Sequence, residues 1–282
     1  MTIQTKAQLE TALNCRFSRL FLNKTPVNPT NAGVGFNHSY WYSTAGTPAS
    51  GLAPNATVAA LNHLTTGAIP FMQQTSPRTS YLADLKFTCT GVAGHTVEIH
   101  DRLIQITVAS VSTTALTVTG FDLNSFLATN NIGARIGDAN YSDVQWWVEM
   151  PVDGTGTASN LTISVIYNDG TTGNLTAITG FTNRRQGRMY PLNNLIPAAD
   201  SGKFIRAITS VVGSANSAGA IAFVATRYRA AIYMDVTNQI FDSGWTETGL
   251  PEIYNQSCLF AIIIAPGTAI GNIVLDGIIA HG

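Results

Sequence analysis

The side chains best suited to chemistry in this sequence stand close together, at His95, Glu98, His100 and Asp101. On a β-strand Glu98 and His100 share one face, a spacing that suits two metal ligands, while His95 and Asp101 point to the other face. Zinc and iron sites take at least three protein ligands, and the sequence places no third one here. The cluster therefore predicts polar strand residues near a loop, with Asp101 and Arg102 in ion pairs or backbone contacts, rather than a metal site.

Other chemical motifs are missing from the sequence. It holds no Gly-x-Ser-x-Gly turn, and the glycine-rich run at 91–94 lacks the lysine and the helix that complete a phosphate-binding loop. Cys15, Cys89 and Cys258 fit no metal spacing and form no even set for disulfides, so we expect them to be mostly buried thiols. The sequence therefore predicts no catalytic residues, no cofactor and no metal.

Arginine dominates the basic residues, with eleven Arg against four Lys, and arginine suits planar contacts with many donors at protein interfaces. The basic run at 184–188 is typical of a loop, either solvated or docked on a neighbouring subunit, because no aromatic residues are interleaved as in single-strand nucleic-acid binders. The arginines at 227 and 229 share a strand face, which we expect to be solvent or interface rather than core. The arginines that are interface candidates are Arg184, Arg185, Arg188, Arg227 and Arg229.

Aromatic residues and helix breakers share the stretch 23–80. Six prolines and several glycines prevent long helices or strands in this stretch. Its aromatic side chains, including the block Tyr40-Trp41-Tyr42, nevertheless favour burial in an apolar environment. An extended arm laid over its own domain, or over a neighbouring subunit, satisfies both conditions. Tyr40, Trp41 and Tyr42 are therefore interface candidates as well.

Helix patterns are confined to two places. A capping box from Thr5 to Gln8 predicts a short helix that ends near Asn14, and residues 121–129 are a candidate for a second. From residue 81 the chain has short strands with Thr-rich outer faces and Gly, Asn or Asp turns, such as Asp169-Gly170. The predicted strands are 85–90, 97–108, 116–119, 144–150, 161–167, 175–178, 204–212, 220–229, 259–264 and 273–279.

These patterns predict an all-β fold. Residues 81–282 form an antiparallel β-sandwich or jelly-roll-like domain, and residues 1–80 form an N-terminal helix and an extended arm rich in Pro, Gly and aromatic residues. No alternation of helices and strands suggests a parallel sheet.

Charge is scarce along the whole chain. Only 11% of the residues are charged, against about a quarter in a typical soluble protein. A surface rich in Thr, Ser, Asn and Gly can be buried against copies of itself without desolvating many ions. The net charge of −1 argues against electrostatic capture of nucleic acid or anionic lipid.

The longest apolar run, 258–265, is too short for a membrane span, and we expect no export through a signal peptide.

Short motifs along most of the chain occur in a familiar order: Lys24-Thr25, Tyr40-Trp41-Tyr42-Ser43, Gly46-Thr47-Pro48, Gly67-Ala68-Ile69-Pro70-Phe71, Tyr81-Leu82, Asp101-Arg102-Leu103 and Ser164-Val165-Ile166-Tyr167-Asn168. Together they resemble a family of virion proteins of tailed bacteriophages, the cement or decoration proteins of the capsid. The resemblance implies β-sandwich trimers or clusters that clamp the capsid exterior and carry no cofactor. One departure is that residues 104–106 continue the strand, where the family has an aromatic residue and a glycine-rich turn.

We therefore expect a structural virion protein of a tailed bacteriophage, a cement protein that binds and stabilises the capsid exterior through large neutral interfaces. Its expected partners are copies of itself, as a trimer, and the major capsid protein, with no nucleic acid and no membrane. Its expected location is the capsid exterior, after synthesis in the host cytoplasm, and we expect no enzymatic activity.

Two other functions stay open. A receptor- or glycan-binding fibre or adhesin module would stack sugars on aromatic rings, and we expect Trp146 and Trp147 to be core residues instead. A polysaccharide-degrading enzyme would need carboxylates that converge in a groove from distant parts of the sequence. The rings considered for sugar stacking are Tyr40, Trp41, Tyr42, Trp146, Trp147, Trp245 and Tyr254.

Overall fold

A computed structural model describes residues 3–27, 36–75, 78–91, 94–108, 110–181, 185–265 and 270–282. Within these ranges strands predominate and the helices are short, so the predicted all-β class is confirmed. The α-helices are α1 Lys6–Cys15, α2 Ile132–Arg135 and α3 Trp245–Thr248, and short 3-10 helices span Leu123–Phe126, Thr129–Asn131, Asn193–Leu195 and Ala198–Asp200. The strands are β1 Phe17–Lys24, β2 Phe36–Ser39, β3 Gly46–Thr47, β4 Ala59–Ala60, β5 Ser80–Cys89, β6 His95–Val108, β7 Leu116–Thr117, β8 Val144–Glu149, β9 Thr155–Gly156, β10 Ser159–Tyr167, β11 Thr172–Asn174, β12 Ile178–Phe181, β13 Arg188–Pro191, β14 Ile205–Gly213, β15 Ser217–Ala218, β16 Ile221–Met234, β17 Phe241–Ser243, β18 Glu252–Ile253, β19 Leu259–Ala265 and β20 Ile273–His281.

The chain divides into two compact units. The first takes Met1–Leu52, Asn62–Asp101 and Tyr228–Gly282, and the second takes Ala53–Leu61 and Arg102–Arg227. The predicted boundary at residue 80 does not coincide with this division. Both units draw on the first 80 residues, and the later boundaries fall inside β6 and β16.

The first unit is an antiparallel sandwich. One layer is a six-stranded sheet in the order β17-β5-β20-β1-β3, with β18 also paired to β5. In the other layer β19 lies between β2 and the first half of β6. The two layers share one apolar core, to which the six-stranded sheet contributes Leu20, Phe87 and Leu275, and the second layer Val97 and Ile263.

Strand β1 lies within the segment predicted as an arm. It pairs with β20 over all eight of its residues and sends Leu20 and Leu22 into the core. Its outward residues include Phe17 and Phe21, so the strand lacks the apolar–polar alternation that indicated the other strands. Deleting residues 1–80 would therefore remove a core strand of the first unit as well as an arm.

The aromatic block of the predicted arm packs on its own unit. The Trp41 ring meets Phe260 of β19 edge to face, with the ring centroids 5.9 Å apart. Two glycines allow the chain to fold over this ring, since a Cβ at Gly51 would lie 2.1 Å from it and a Cβ at Gly67 would lie 3.4 Å from it. Of the two placements predicted for the arm, these residues adopt the one over their own domain.

Helix α1 begins at the predicted capping box. Thr5 Oγ1 accepts from the Gln8 N–H at 3.3 Å, and Gln8 Oε1 accepts from the Thr5 N–H at 3.1 Å. These bonds satisfy backbone donors that the first turn leaves open. The helix packs Leu9 and Ala12 against alanines of β5 and β20. Its last residue, Cys15, is exposed, whereas the other two cysteines are buried as expected.

The second unit is also an antiparallel sandwich. One sheet has the order β11-β10-β14-β7, with β12 also beside β10. In the other layer β8 pairs with β13 and with residues 222–227 of β16. Ile163, Val165 and Ile208 of the first sheet share a core with Trp146 and Phe223 of the second layer.

The Asp169-Gly170 turn forms the predicted hairpin. Gly170 has φ +84°, and the Thr171 N–H donates to Asp169 Oδ1 at 2.9 Å. The returning strand is Thr172–Asn174, earlier than the predicted 175–178, because the turn closes at once. The second predicted helix, at 121–129, is 3-10 rather than α over Leu123–Phe126.

Candidate interface surfaces

Glu98 and His100 lie side by side on β6 as predicted, with His100 Nε2 2.9 Å from Glu98 Oε2. Asp101 accepts hydrogen bonds at 2.8 Å from the Ser257 hydroxyl and from the Cys258 N–H. In the part of the chain that the structure describes, no three side chains of metal-ligating type converge. Through Asp101, β6 is bonded to the two residues that directly precede β19.

Arg229 is buried beside the same carboxylate. Its Nη2 lies 3.5 Å from Asp101 Oδ2, and its guanidinium carbon lies 5.2 Å from the centre of the Tyr254 ring. The side chain is 3% exposed. The prediction that Arg229 faces solvent or an interface is therefore wrong, because distant segments supply both a counter-ion and an aromatic cover.

Arg227 is committed to contacts within the second unit. Its Nη2 lies 3.0 Å from Asp143 Oδ2, and its Nη1 donates to the Arg135 carbonyl at 3.2 Å. Gly137, at φ +85°, lets the backbone approach, since a Cβ there would lie 2.5 Å from the guanidinium carbon. The Arg227 side chain keeps 18% of its surface exposed.

The basic run separates into three different environments. Arg184 lies outside the described residues. Arg185 is exposed and forms an ion pair with Asp153 at 3.2 Å. Arg188 is 1% exposed, with its guanidinium 5.5 Å from the Tyr190 ring centre, and burial lowers its pKa. Arg188 is therefore a core residue of its unit, which contradicts its prediction as an interface residue.

The block Tyr40-Trp41-Tyr42 is covered by its own unit, with at most 4% of each residue exposed. The Tyr40 hydroxyl donates to the Gly271 carbonyl at 2.8 Å, and Trp41 Nε1 donates to the Leu52 carbonyl at 2.9 Å. Rings buried in this way cannot contact a neighbouring subunit or a sugar without leaving their own unit. Their prediction as interface residues is contradicted.

Two further tryptophans are core residues, as predicted. Trp146 Nε1 donates to the Ile205 carbonyl, and Trp147 Nε1 donates to Thr226 Oγ1, both at 2.8 Å. Trp245 differs, since it is 40% exposed on α3. It is the tryptophan that keeps a face open to a ligand.

A buried ionic network in the second unit contains Arg102, for which the sequence predicted ion pairs or backbone contacts; its partner Glu149 and the part played by Arg135 were not predicted. Arg102 forms a two-pronged pair with Glu149, at 3.1 and 2.5 Å, and donates through Nε to Gln105 at 2.9 Å. Arg135 donates to the carbonyls of Leu61 at 2.7 Å and of Arg102 at 3.0 Å. The sequence contains one indication of this network. Glu149 ends an apolar strand, and a carboxylate in that position is seldom buried without a partner.

The open face of the six-stranded sheet carries rings and charges together. Phe17 and Phe21 on β1 are each 43% exposed. Arg19 stands between them and forms an ion pair with Asp276 of β20 at 3.4 Å. This part of the face is therefore apolar with its charge locally compensated.

Farther along the same sheet two carboxylates share a site. Burial, together with a hydrogen bond and the negative charge from Asp242, raises the pKa of Asp84 to about 6. Asp276 adds to the rise, and Lys86 opposes it. Lys86 also lies 3.5 Å from Asp242. Asp84 therefore titrates under mildly acidic conditions, at a higher pH than an ordinary surface carboxylate.

No helix among the described residues is both long and apolar enough to cross a bilayer.

No protein-family model matches this chain, and no curated protein matches it. Among solved structures it is similar to VP2 of infectious bursal disease virus in a subviral particle, at 11% identity and a TM-score of 0.20, over 94% of this chain and 79% of that one. A structure of the Gt strain of the same virus matches at 10% identity and a TM-score of 0.18, over 94% and 80% of the two chains. A likeness this distant carries no argument about function.

Proposed function

We propose that this chain is a structural protein of a virus particle, built to be covered by neighbouring subunits. The observation that carries the proposal is the shortage of free charge. Of the 15 basic and 16 acidic residues, at least seven are buried within the chain's own units. The buried charged residues are Lys24, Asp101, Arg102, Arg135, Glu149, Arg188 and Arg229.

Many of the remaining charges are compensated locally. Ion pairs join neighbouring strands or successive turns, so these charges attract distant ions or polyelectrolytes weakly. Association through such a surface desolvates few lone ions, which favours contacts repeated by symmetry. The pairs with exposed or partly exposed partners are Lys6–Glu10, Arg19–Asp276, Lys86–Asp242, Arg185–Asp153, Lys203–Asp169, Lys203–Asp200, Arg206–Asp122 and Arg227–Asp143.

More specifically, we propose a cement protein on the capsid exterior of a tailed bacteriophage, made in the host cytoplasm. The short motifs that resemble this family support the assignment, and the antiparallel sandwiches agree with it. The proposed partners are copies of the chain, as a trimer, and the major capsid protein. The proposal includes no enzymatic activity, no nucleic acid and no membrane.

Electron cryo-microscopy of the purified particle tests this function. We expect density for the chain, repeated by the symmetry of the head, on the outside of the shell. Density confined to the tail, or the absence of the chain from particles that are otherwise complete, would contradict the cement function.

Glycan binding is the second candidate, because Trp245 is left open. An exposed indole offers a flat apolar face on which a sugar ring can stack. Binding to a glycan array that is lost in Trp245→Ala and kept in Ile240→Ala, a change at another exposed apolar position, would favour a receptor- or glycan-binding module. We expect no such binding.

A further inference from the structure

Strand β1 has an open edge. It pairs with β20 along one side, whereas on the other side β3 meets it at Asn23 and Lys24. Within the described residues, 17–22 therefore have a neighbouring strand on one side only. The pairing with β20 contains no shift of register. Proteins usually protect an edge with charged side chains, proline or a bulge; residues 17–22 contain no proline and no bulge, and their one charged residue is Arg19.

The direction of the backbone groups follows from two hydrogen bonds. The Arg16 carbonyl accepts from the His281 N–H at 2.8 Å, so even-numbered residues bond toward β20. The Thr25 N–H donates to the Ala45 carbonyl at 3.3 Å beside β3, so odd-numbered residues face away from β20. The open edge thus presents the N–H and C=O groups of Phe17, Arg19 and Phe21.

The same three residues have exposed side chains. Phe17 and Phe21 offer rings, and the charge of Arg19 is compensated by Asp276 at 3.4 Å. An edge with free backbone donors and acceptors, flanked by apolar rings, is suited to accept another strand.

We propose that a second copy of this chain docks on β1, edge to edge. The two β1 strands pair antiparallel about a two-fold axis, and the two six-stranded sheets become continuous. This inference rests on the proposed function of an assembling subunit, and the two-fold contact that it names is additional to the contacts within the proposed trimer.

Self-complementarity selects a second copy as the occupant. In the symmetric register that uses the edge groups of all three residues, Arg19 of one copy lies opposite Arg19 of the other copy. This register also sets each Phe17 opposite a Phe21 of the second copy, and such aromatic pairs across antiparallel strands are stabilising. The facing Arg19 side chains each keep Asp276 as a counter-ion, which limits their repulsion.

Cross-linking tests the register. In a Cys15→Ser background, which removes the exposed thiol, Arg19→Cys places two thiols across the two-fold axis. In this register the two Arg19 residues form a hydrogen-bonded pair, whose Cα atoms lie about 5.5 Å apart, within the disulfide range. We expect mild oxidation to give a covalent dimer. The matched control is Ile240→Cys, at another highly exposed position of the first unit, which should stay monomeric on a denaturing gel.

Self-association tests the surface. Phe21→Glu places a charge beside the seam, and we expect it to weaken association at least about tenfold. Ile240→Glu adds the same charge at an exposed apolar site and should leave association unchanged. The thermal midpoint of each variant shows whether it is folded.

The outcomes separate this inference from the proposed function. If the unmodified chain associates while Arg19→Cys gives no dimer and Phe21→Glu has no effect, the inference is overturned and the proposed function stands. If Phe21→Glu abolishes binding to particles but not self-association, the edge belongs to another protein and the inference is also overturned. If the unmodified chain never associates, both fail.

Discussion

At the scale of single residues, the most costly group to disturb is the Arg102–Glu149 pair. Both side chains are fully buried, and the guanidinium is held by two contacts to the carboxylate. Removing one member leaves a charge in an apolar interior, whereas replacing both with apolar residues of similar size does not.

We therefore expect Glu149→Leu to lower the free energy of unfolding by about 3–5 kcal/mol, and Arg102→Met with Glu149→Leu to recover most of it. Urea denaturation measures both. Asp276→Asn, which breaks the exposed pair with Arg19, serves as the control and should cost no more than about 1 kcal/mol. Equal losses in the single and double variants would refute this account of the network.

Asp84 gives stability an unusual dependence on pH. Its pKa is about 6 in the folded chain and 3.8 as a free side chain. Between these values the folded state holds a proton that the unfolded state has released. The contribution of Asp84 to stability is therefore complete below pH 3.8 and is lost as the pH rises through 6.

We expect the thermal midpoint of Asp84→Asn to lack this loss, because an amide stays neutral and can still donate to Asp242. Melting curves of both proteins across this pH range test the assignment. Identical profiles would show that Asp84 does not hold the proton.

At the scale of elements, the sequence predicted those helices and turns that a few neighbouring residues determine. The capping box at Thr5 and Gln8 placed α1, and the Asp169-Gly170 turn placed a hairpin, because each depends on residues within a few positions. Strand β1 was missed because Phe21 stands on its outer face, where alternation requires a polar residue.

Tertiary contacts explain the other failures. Arg229 was predicted at the surface, yet Asp101 and Tyr254 cover it from positions far away in the sequence. The site of Trp41 depends on Gly51 and Gly67, which no periodicity connects to it. Interface candidates chosen by residue type alone were therefore partly core residues.

The packing of Gly51 on the Trp41 ring leads to a prediction about stability. Gly51→Ala should lower the free energy of unfolding by about 1–3 kcal/mol, because its new Cβ overlaps the indole. In a Trp41→Phe background the same change should cost at least about 1 kcal/mol less, since the smaller ring leaves space. Gly180→Ala, which has open space around it, should cost the same in both backgrounds. A Gly51→Ala cost that does not depend on residue 41 would be inconsistent with this packing.

At the scale of the whole molecule, scarcity of charge is the property from which the function is argued. A chain with 11% charged residues, several of them buried, has few ions left to keep its surface hydrated. Contacts between such surfaces gain from burying apolar area and neutral hydrogen bonds, which salt screens little. Assembly of this chain should therefore depend on concentration much more than on ionic strength.

Sedimentation velocity of the purified chain, over a wide concentration range at low and at molar salt, tests this claim most directly. We expect a discrete oligomer with a dissociation constant that changes by less than about tenfold between the two salt conditions. A chain that remains monomeric at every concentration, or an oligomer that molar salt disperses, would contradict the claim that neighbouring subunits cover this surface.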